Sequence, residues 1–337
     1  MKTVKIGIVG LGRLGKRHAQ NLRYRVIGAE LTAACSVVPE ELSWAQNELG
    51  ITDTYSDYTE MLEKADIDAV FLVTSSAFHA EQSIKALEKG LHVFTEKPMG
   101  VNVDECLKVE DTAARHQDQV FFVGFVRRFD PSYAYAKKLI DEGAIGEPFM
   151  IRSQTVDLDE YAEFQVEFVP TSGGIFLDCN VHDVDLARWF LGSEVKKVYA
   201  QGGSYVHKAF DSVNDADNTV VLATFEDGKM AVISASRTAF HGHDTHTEIT
   251  GSKGILKIGM TPAKNRVEIF DAHGARQECV NDFFERFKEG FQLEAQEFVD
   301  CILERRKPIV SAKDGTKATE VGFAMTDSFK TRKEVVL

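Results

Sequence analysis

Three features of the sequence predict an α/β protein of two domains: an N-terminal Rossmann-type doubly wound parallel sheet and a C-terminal α+β domain on a large open mixed or antiparallel sheet. A buried-type strand runs into a glycine turn and a helix at the N-terminus. Strand and helix then alternate to about residue 125. Beyond about residue 146 that rhythm gives way to strand-like runs separated by tight turns. At 337 residues the chain is long enough for two cores. The expected division is 1–125 and 126–337, with the last helices packing back on the first domain.

The opening strand, VKIGIVG (4–10), is a continuous apolar run, the pattern of a strand covered on both faces. A helical pattern follows from Arg13 to Leu22. ELTAACSVV (30–38) reads as the second strand, SWAQNELG (43–50) as a helix stopped by glycine, and DAVFLVTS (68–75) as the third strand. The helix AFHAEQSIKALEKG (77–90) stops at Gly90. LHVFTE (91–96) is the fourth strand, NVDECLKVEDTAARH (102–116) a helix, and VFFVGF (120–125) a fifth strand. In the second half a helix over 176–191 precedes strands near 195–206, 218–226, 229–238, 245–250, 254–259 and 265–270. Turn signals EDGK, GSKG and AHG separate several of these, as between antiparallel neighbours. Helical stretches near 282–305 and 312–330 close the chain.

Composition narrows the function classes. With 39 basic and 52 acidic residues the formal net charge is −13, which disfavours nucleic acid or an anionic membrane as a partner. No stretch approaches a membrane span. Cys35, Cys106, Cys179, Cys279 and Cys301 are odd in number and scattered, without a C-x-x-C pair. Reduced thiols in a cytoplasmic protein are the expectation.

GLGRLG places glycines at Gly10, Gly12 and Gly15 between a strand and a helix. Such glycines permit a tight turn, close approach to a pyrophosphate and close helix–strand packing. The helix N-terminus favours the phosphates. The expected cofactor-binding residues are Gly10, Gly12, Arg13, Leu14 and Gly15 here, and Ser36 and Val37 at the end of the second strand. Thr74 and Ser75 at the end of the third strand, with His79, Glu96 and Lys97, complete the set. The acid that usually holds the adenine ribose at the end of the second strand is missing at Ser36. No Arg or Lys occurs from Leu31 to Leu62 to attract a 2′-phosphate; Arg13, Lys16 and Arg17 are the nearest cations. NAD is therefore favoured, with NADP or dual use as the alternative.

The acid–base candidates are Lys97, Asp178 and His182. Lys97 follows the fourth strand, at the carboxyl end where open parallel sheets bind ligands. Pro98 forces it toward an extended conformation. Asp178 and His182 lie four apart in an otherwise apolar run, a spacing that shares a helix face. A histidine can accept the proton of a carbinol hydroxyl, a neighbouring aspartate can orient it or bind a second hydroxyl, and an ammonium can stabilise the substrate oxygen. The plainer alternative is a buried Asp–His pair tied to Arg188. The preceding SGG (172–174) would let backbone approach a ligand closely. His241, His243 and His246 in FHGHDTH lack a complete ligand set, so no metal is expected. Adjacent arginines cannot share one direction; Arg127 is assigned to the site and Arg128 to a structural ion pair.

These residues occur in a telling order: G-x-G-x-x-G, His79, EKP (96–98), GFVRRFDPSY (124–133), GEP (146–148) and GGIFLDCNVHDVDLARW (173–189). Together they resemble the Gfo/Idh/MocA oxidoreductases, most closely the inositol 2-dehydrogenases of scyllo-inositol type. GLGRLGKRH and AACSVVPEE are similar as well. The resemblance implies a Rossmann domain, a C-terminal sheet used in oligomerisation, commonly as a homotetramer, and a catalytic set that falls on Lys97, Asp178 and His182. It further implies that Arg127 and Asp157 face the polyol and that Glu96 and His79 lie near the cofactor. The expected activity is NAD-dependent oxidation of one hydroxyl of a cyclic polyol, scyllo- or myo-inositol. Alternatives are an NADP-using aldose or sugar-derivative dehydrogenase, a non-catalytic dinucleotide sensor, and redox-neutral glycoside cleavage.

Overall fold

The computed structural model describes residues 2–337. The chain divides into two compact units, one of residues up to Phe129 with Glu289–Thr319, the other of Asp130–Lys288 with Glu320–Leu337.

The first unit opens with β1 (Val4–Val9), α1 (Arg13–Tyr24), β2 (Ala29–Cys35), α2 (Pro39–Leu49), β3 (Asp53–Tyr55) and α3 (Tyr58–Lys64). It continues with β4 (Ala69–Leu72), α4 (Ser76–Glu88), β5 (His92–Glu96), α5 (Val103–Arg115) and β6 (Phe121–Gly124). All six strands are parallel, in the order β3-β2-β1-β4-β5-β6. This is the doubly wound order of dinucleotide-binding sheets. β3 and α3 were not expected; the strand has three residues, too few for a visible pattern. The expected fourth strand is thus β5. The apolar runs of β4, β5 and β6 are fully buried, as expected for strands covered on both faces.

In the second unit, α6 (Pro131–Asp141) and β7 (Pro148–Leu158) lead to α7 (Ala162–Ser172), α8 (Ile175–Asp178) and α9 (Asn180–Leu191). β8 (Val195–Gly203), β9 (Asn218–Phe225), β10 (Met230–Ala239), β11 (Asp244–Gly251) and β12 (Gly254–Ile258) follow, then β13 (Ala263–Asp271) and β14 (Gly274–Cys279). The chain ends with α10 (Phe283–Arg286), α11 (Lys288–Glu304), α12 (Ala312–Thr331) and β15 (Val335–Val336). The large sheet has seven strands, β12-β11-β7-β10-β9-β8-β15. β7 and β10 are parallel and the other neighbours antiparallel, so the sheet is mixed.

Four expectations need correction. β7 was not anticipated, yet it lies between β11 and β10 near the middle of the sheet. The strand near 265–270 is β13, which pairs with β14 in a separate two-stranded sheet. The helix over 176–191 is two segments, α8 and α9, with Cys179 between them at φ −90°. The stretch near 282–305 likewise divides into α10 and α11 at Phe287.

Phenylalanines hold the first sheet to its helices. Phe71 and Phe94 stack at 3.7 Å between centroids, and Phe94 stacks on Phe122 at 5.3 Å. Phe298 of α11 meets all three edge-on, at 6.0, 5.9 and 6.1 Å. Such edge-to-face contacts add to the area these rings bury. In the second unit the core is partly polar. The buried Asp183 of α9 accepts from Ser153 Oγ at 2.6 Å and Thr155 Oγ1 at 2.7 Å, joining the helix to β7. Removing that carboxylate would take an acceptor from two buried hydroxyls, at a cost of roughly 1–3 kcal/mol in all.

Candidate active site

The glycine turn is built by close backbone approaches. Gly10 has φ +86°, and an added Cβ would stand 2.5 Å from Val73 O. A Cβ on Gly15 would lie 2.0 Å from Gly10 O. Both glycines are therefore demanded by the fold itself. Gly12 differs: at φ −66° any residue is tolerated, and a Cβ there meets nothing within 4 Å. The protein gives Gly12 no reason to be glycine. Gly12 is also the N-cap of α1 and supplies no side-chain cap, so the first turn presents backbone N–H groups and a positive dipole end. The open space over Gly12 fits a pyrophosphate. Arg13 is exposed beside it and Leu14 half-buried.

At the end of β2, Ser36 is nearly buried and its hydroxyl donates to Glu41 Oε2 at 2.5 Å. The same hydroxyl accepts from the Val38 amide at 3.1 Å. Glu41 thus supplies a carboxylate where Ser36 had seemed to leave none. The missed signal was the EE following AACSVVP, displaced from the strand end into the first turn of α2. Val37 is exposed next to it. Lys16, one of the candidate cations, sits over the Trp44 ring at 5.2 Å.

Thr74 and Ser75 follow β4; the Thr74 hydroxyl donates to Gln82 Oε1 at 2.7 Å, and Ser75 is the N-cap of α4. His79 is buried between two carbonyls, with Nδ1 2.8 Å from Pro98 O and Nε2 3.0 Å from Thr74 O. Burial pushes its pKa down, while the two carbonyls push it up. It braces the end of β4 against the turn after β5. In that turn Lys97 is half-buried, and the Lys97–Pro98 peptide is cis. Arg127 and Arg128 are both buried in the turn after β6. Arg128 pairs with Asp314 at 3.0 Å and donates to Ile309 O.

In the second unit, Asp178 closes α8 and His182 lies in the first turn of α9. From Gly174 to Leu191 every residue is buried except Asp178, His182 and Trp189. Asp178 and His182 are therefore the ionisable positions of this helix pair that are not fully buried. Arg188 forks onto Glu194 with bonds of 2.7 and 2.8 Å. The glycines before α8 serve packing. A Cβ on Gly173 would stand 2.5 Å from Leu177 Cδ1, and one on Gly174 3.1 Å from Asp215 Oδ1. Asp215 takes the Ile175 amide at 3.1 Å and the buried Arg237 at 2.7 Å, fixing the start of α8.

Asp157, at the end of β7, is half-buried and engaged. His243 Nδ1 lies 3.0 Å from Oδ1, while Cys179 Sγ and Gln165 Nε2 reach Oδ2 at 3.4 and 3.3 Å. Burial alone would raise its pKa, but the His243 hydrogen bond and charge, with Cys179 and Arg237, hold it below the usual carboxylate range. His241 and His246 lie beside Asp244, at 3.5 and 3.6 Å.

Among the described residues one group of three ligand-type side chains stands within 4.8 Å, and sequence reasoning missed it: His18, Glu96 and Glu294, all buried in the first unit. His18 Nε2 is 2.8 Å from Glu96 Oε1 and 3.9 Å from Glu294 Oε1. Burial, then the charge of Glu96, raises the Glu294 carboxyl well above its ordinary 4.5.

Comparison with known proteins agrees with this geometry. Residues 4–125 match the family profile described as "Oxidoreductase family, NAD-binding Rossmann fold", and residues 133–257 match "GFO/IDH/MocA C-terminal domain". The chain is 37% identical over 334 residues to scyllo-inositol 2-dehydrogenase (NAD(+)) of Bacillus subtilis (strain 168), covering 99% of this chain and 96% of that protein. It is 34% identical over 336 residues to myo-inositol 2-dehydrogenase of Thermotoga maritima, covering 99% and 98%. Among solved structures, scyllo-inositol dehydrogenase from Lactobacillus casei with bound NAD(H) and scyllo-inositol aligns at a TM-score of 0.96, with 42% identity and 99% of both chains covered.

Two predictions follow from the glycines and from Glu294. Gly12→Ala should keep the melting temperature yet weaken NAD binding by about tenfold or more in a fluorescence titration, whereas Gly15→Ala should lower the melting temperature itself. Equal loss of stability in both variants would show that Gly12 is structural. For Glu294, the unfolded chain releases its proton above about 4.5 while the native state retains it, so native stability falls as pH rises toward the folded pKa. The melting temperature of the wild type relative to Glu294→Gln should therefore decline as pH rises above 4.5. A constant difference would mean that Glu294 is ionised in the native state.

Proposed function

The chain belongs to the Gfo/Idh/MocA oxidoreductase family, and from that premise we propose that it is an NAD-dependent inositol 2-dehydrogenase. It oxidises one secondary hydroxyl of scyllo-inositol, or of myo-inositol, to the inosose ketone. The observation that carries this reading is the placement of Asp178 and His182 as the incompletely buried ionisable groups of an otherwise buried helix pair. The B. subtilis and L. casei relatives supply the substrate class.

NAD, when bound, accepts the hydride. The glycine turn with Arg13 and Leu14 holds the pyrophosphate, and Ser36 with Glu41 receives the adenine ribose. Val37, Thr74 and Ser75 line the same side of the sheet, and His79 keeps the turn around Lys97 in place. His182 takes the proton of the reacting hydroxyl, because an imidazole titrates near neutrality. Lys97 stabilises the charge that develops on the oxygen. Asp178, Asp157 and Arg127 hold neighbouring hydroxyls. A site built to bond hydroxyls discriminates strongly against an analogue lacking one, since its buried polar groups would be left unpaired. The Glu41 carboxylate repels a 2′-phosphate and favours NAD over NADP.

Absorbance of NADH, with NAD or NADP against a panel of inositols, sugars and glycosides, tests this reading. Fastest turnover is expected with NAD and scyllo- or myo-inositol; NAD binding without turnover of any polyol would overturn it. His182→Ala should lower kcat by roughly 10²–10⁴-fold, and Glu41→Gln should shift kcat/KM toward NADP. Unchanged turnover in His182→Ala would remove it as the base.

We further infer a homotetramer in a reducing, cytoplasmic setting. Tyr199, Val220 and Leu222 are exposed apolar residues on one face of the large sheet, a surface suited to a second copy of this chain. None of the five cysteines forms a disulfide, and among the described residues no helix is long and apolar enough to cross a membrane. Light scattering should report four subunits, and Leu222→Lys should lower that number. A wild-type monomer would contradict the tetramer.

A further inference from the structure

Glu96 is buried at the end of β5, immediately before Lys97, and both of its carboxylate oxygens are used. Oε1 meets His18 Nε2 at 2.8 Å, and Oε2 accepts the Lys97 backbone amide at 3.3 Å. His18 comes from α1, the helix that starts at the glycine turn, and its ring is clamped by aromatic rings. Its centroid lies 4.9 Å from Phe71, 5.6 Å from Phe94 and 5.5 Å from Phe291. The imidazole therefore has little freedom to leave the carboxylate. Gly124 makes room on the other side: a Cβ there would stand 3.2 Å from Glu96 Oε2. Glu294 of α11 lies beneath, fully buried, and neither of its oxygens has a hydrogen-bond partner in the protein.

We propose that Glu96 is a positioning residue for Lys97: its carboxylate, locked between the His18 imidazole and the Lys97 amide, fixes where the chain delivers the lysine, and Glu294 closes the buried side of that lock. The geometry supports a hydrogen-bonded imidazole–carboxylate pair rather than a bound ion. Among the groups facing Glu294, His18 from α1 is already committed to Glu96, so a second anion would have no cation to answer it. Burial accordingly keeps Glu294 protonated. The aromatic lining also suits a neutral acid better than a hydrated ion. The consequence is mechanical: α1, which carries the phosphate-binding turn, and β5, which carries the lysine, are joined by a buried hydrogen bond and cannot shift independently. This inference rests on the assignment of Lys97 to the oxygen of the substrate.

The test compares full-length wild type with Glu96→Gln. Reductive methylation by formaldehyde and a borohydride reagent, quantified at Lys97 by mass spectrometry, reads the placement of the lysine without any substrate. Steady-state rates with scyllo-inositol and a titration with NAD read its consequence. A change of about threefold or more in Lys97 labelling and a fall in kcat of about tenfold are expected, with KM and the NAD dissociation constant within about twofold. Glu96→Asp, which keeps the charge on a shorter stem, should recover part of kcat. Labelling and kcat both within about twofold of wild type would overturn the proposal. So would a loss of kcat accompanied by equal losses of NAD binding and melting temperature, which would make Glu96 a structural residue only. Should Glu96→Gln fail to fold, His18→Gln carries the same comparison from the other end of the hydrogen bond. A stoichiometric divalent metal in the purified protein would overturn the hydrogen-bonded lock. If the wild type oxidises no inositol, the proposed function fails, while the labelling comparison still decides the role of Glu96.

Discussion

The first unit depends on a steric constraint at two points of its opening turn. At Gly10 the chain passes within contact distance of the backbone after β4, and at Gly15 helix α1 is pressed against the carbonyl of Gly10. Neither position has space for a side chain. These contacts fix where α1 begins and which way it points, so its N-terminus lies at the carboxyl edge of the sheet. The parallel strands then bring the ends of β2, β4 and β5 to the same edge. Residues distant in sequence are gathered there by topology, without any local preference of their own. Gly12 stands apart because the fold does not need it, which is why it points to something outside the protein.

The second unit solves a different problem. It must present polar groups from a buried helix pair without destabilising its core. It does so by tying the helices with saturated polar contacts: Asp183 to Ser153 and Thr155, and Asp215 to the Ile175 amide and Arg237. Buried polar groups of this kind are costly when left unpaired and rigid when paired. Asp178 and His182 lie between these anchors, one at the end of α8 and the other at the start of α9. The break at Cys179 costs little, because that residue stays in the right-handed helical region. The rigid neighbours set the direction in which the partly buried pair faces.

The same polar contacts explain what could not be read from the amino acids in order. The parallel sheet was legible because its strands are apolar throughout, and the glycine turn because its residues are adjacent. β7 was not, since PFMIRSQTVDL buries Ser153 and Thr155 where an alternating strand would show aliphatic residues, and both hydroxyls donate to Asp183, some thirty residues on. Lys97 stood out by its place at the carboxyl end of a parallel strand, and Asp178 and His182 because they interrupt an apolar run. Glu41 did not, because it lies one helical turn past the strand end at which a ribose-binding acid is sought, and only the Ser36 hydrogen bond relates the two. His18, Glu96 and Glu294 come from three distant segments; the sequence marks only Glu96, through the resemblance, and nothing in it relates Glu96 to the other two.

That dispersed cluster bears on how the site tolerates change. A lysine at the end of a strand would normally inherit its position from loop geometry, and loops are the more mobile parts of a fold. Here the residue before it is held inside the core by a hydrogen bond to the helix that starts at the glycine turn. A displacement of that helix must therefore either carry the strand end with it or break a charge-assisted bond in a medium where such bonds are strong. The phosphate end and the chemical end of a dinucleotide-binding unit are far apart along the cofactor. Joining their supports through one buried imidazole ties the two placements together at the level of the fold.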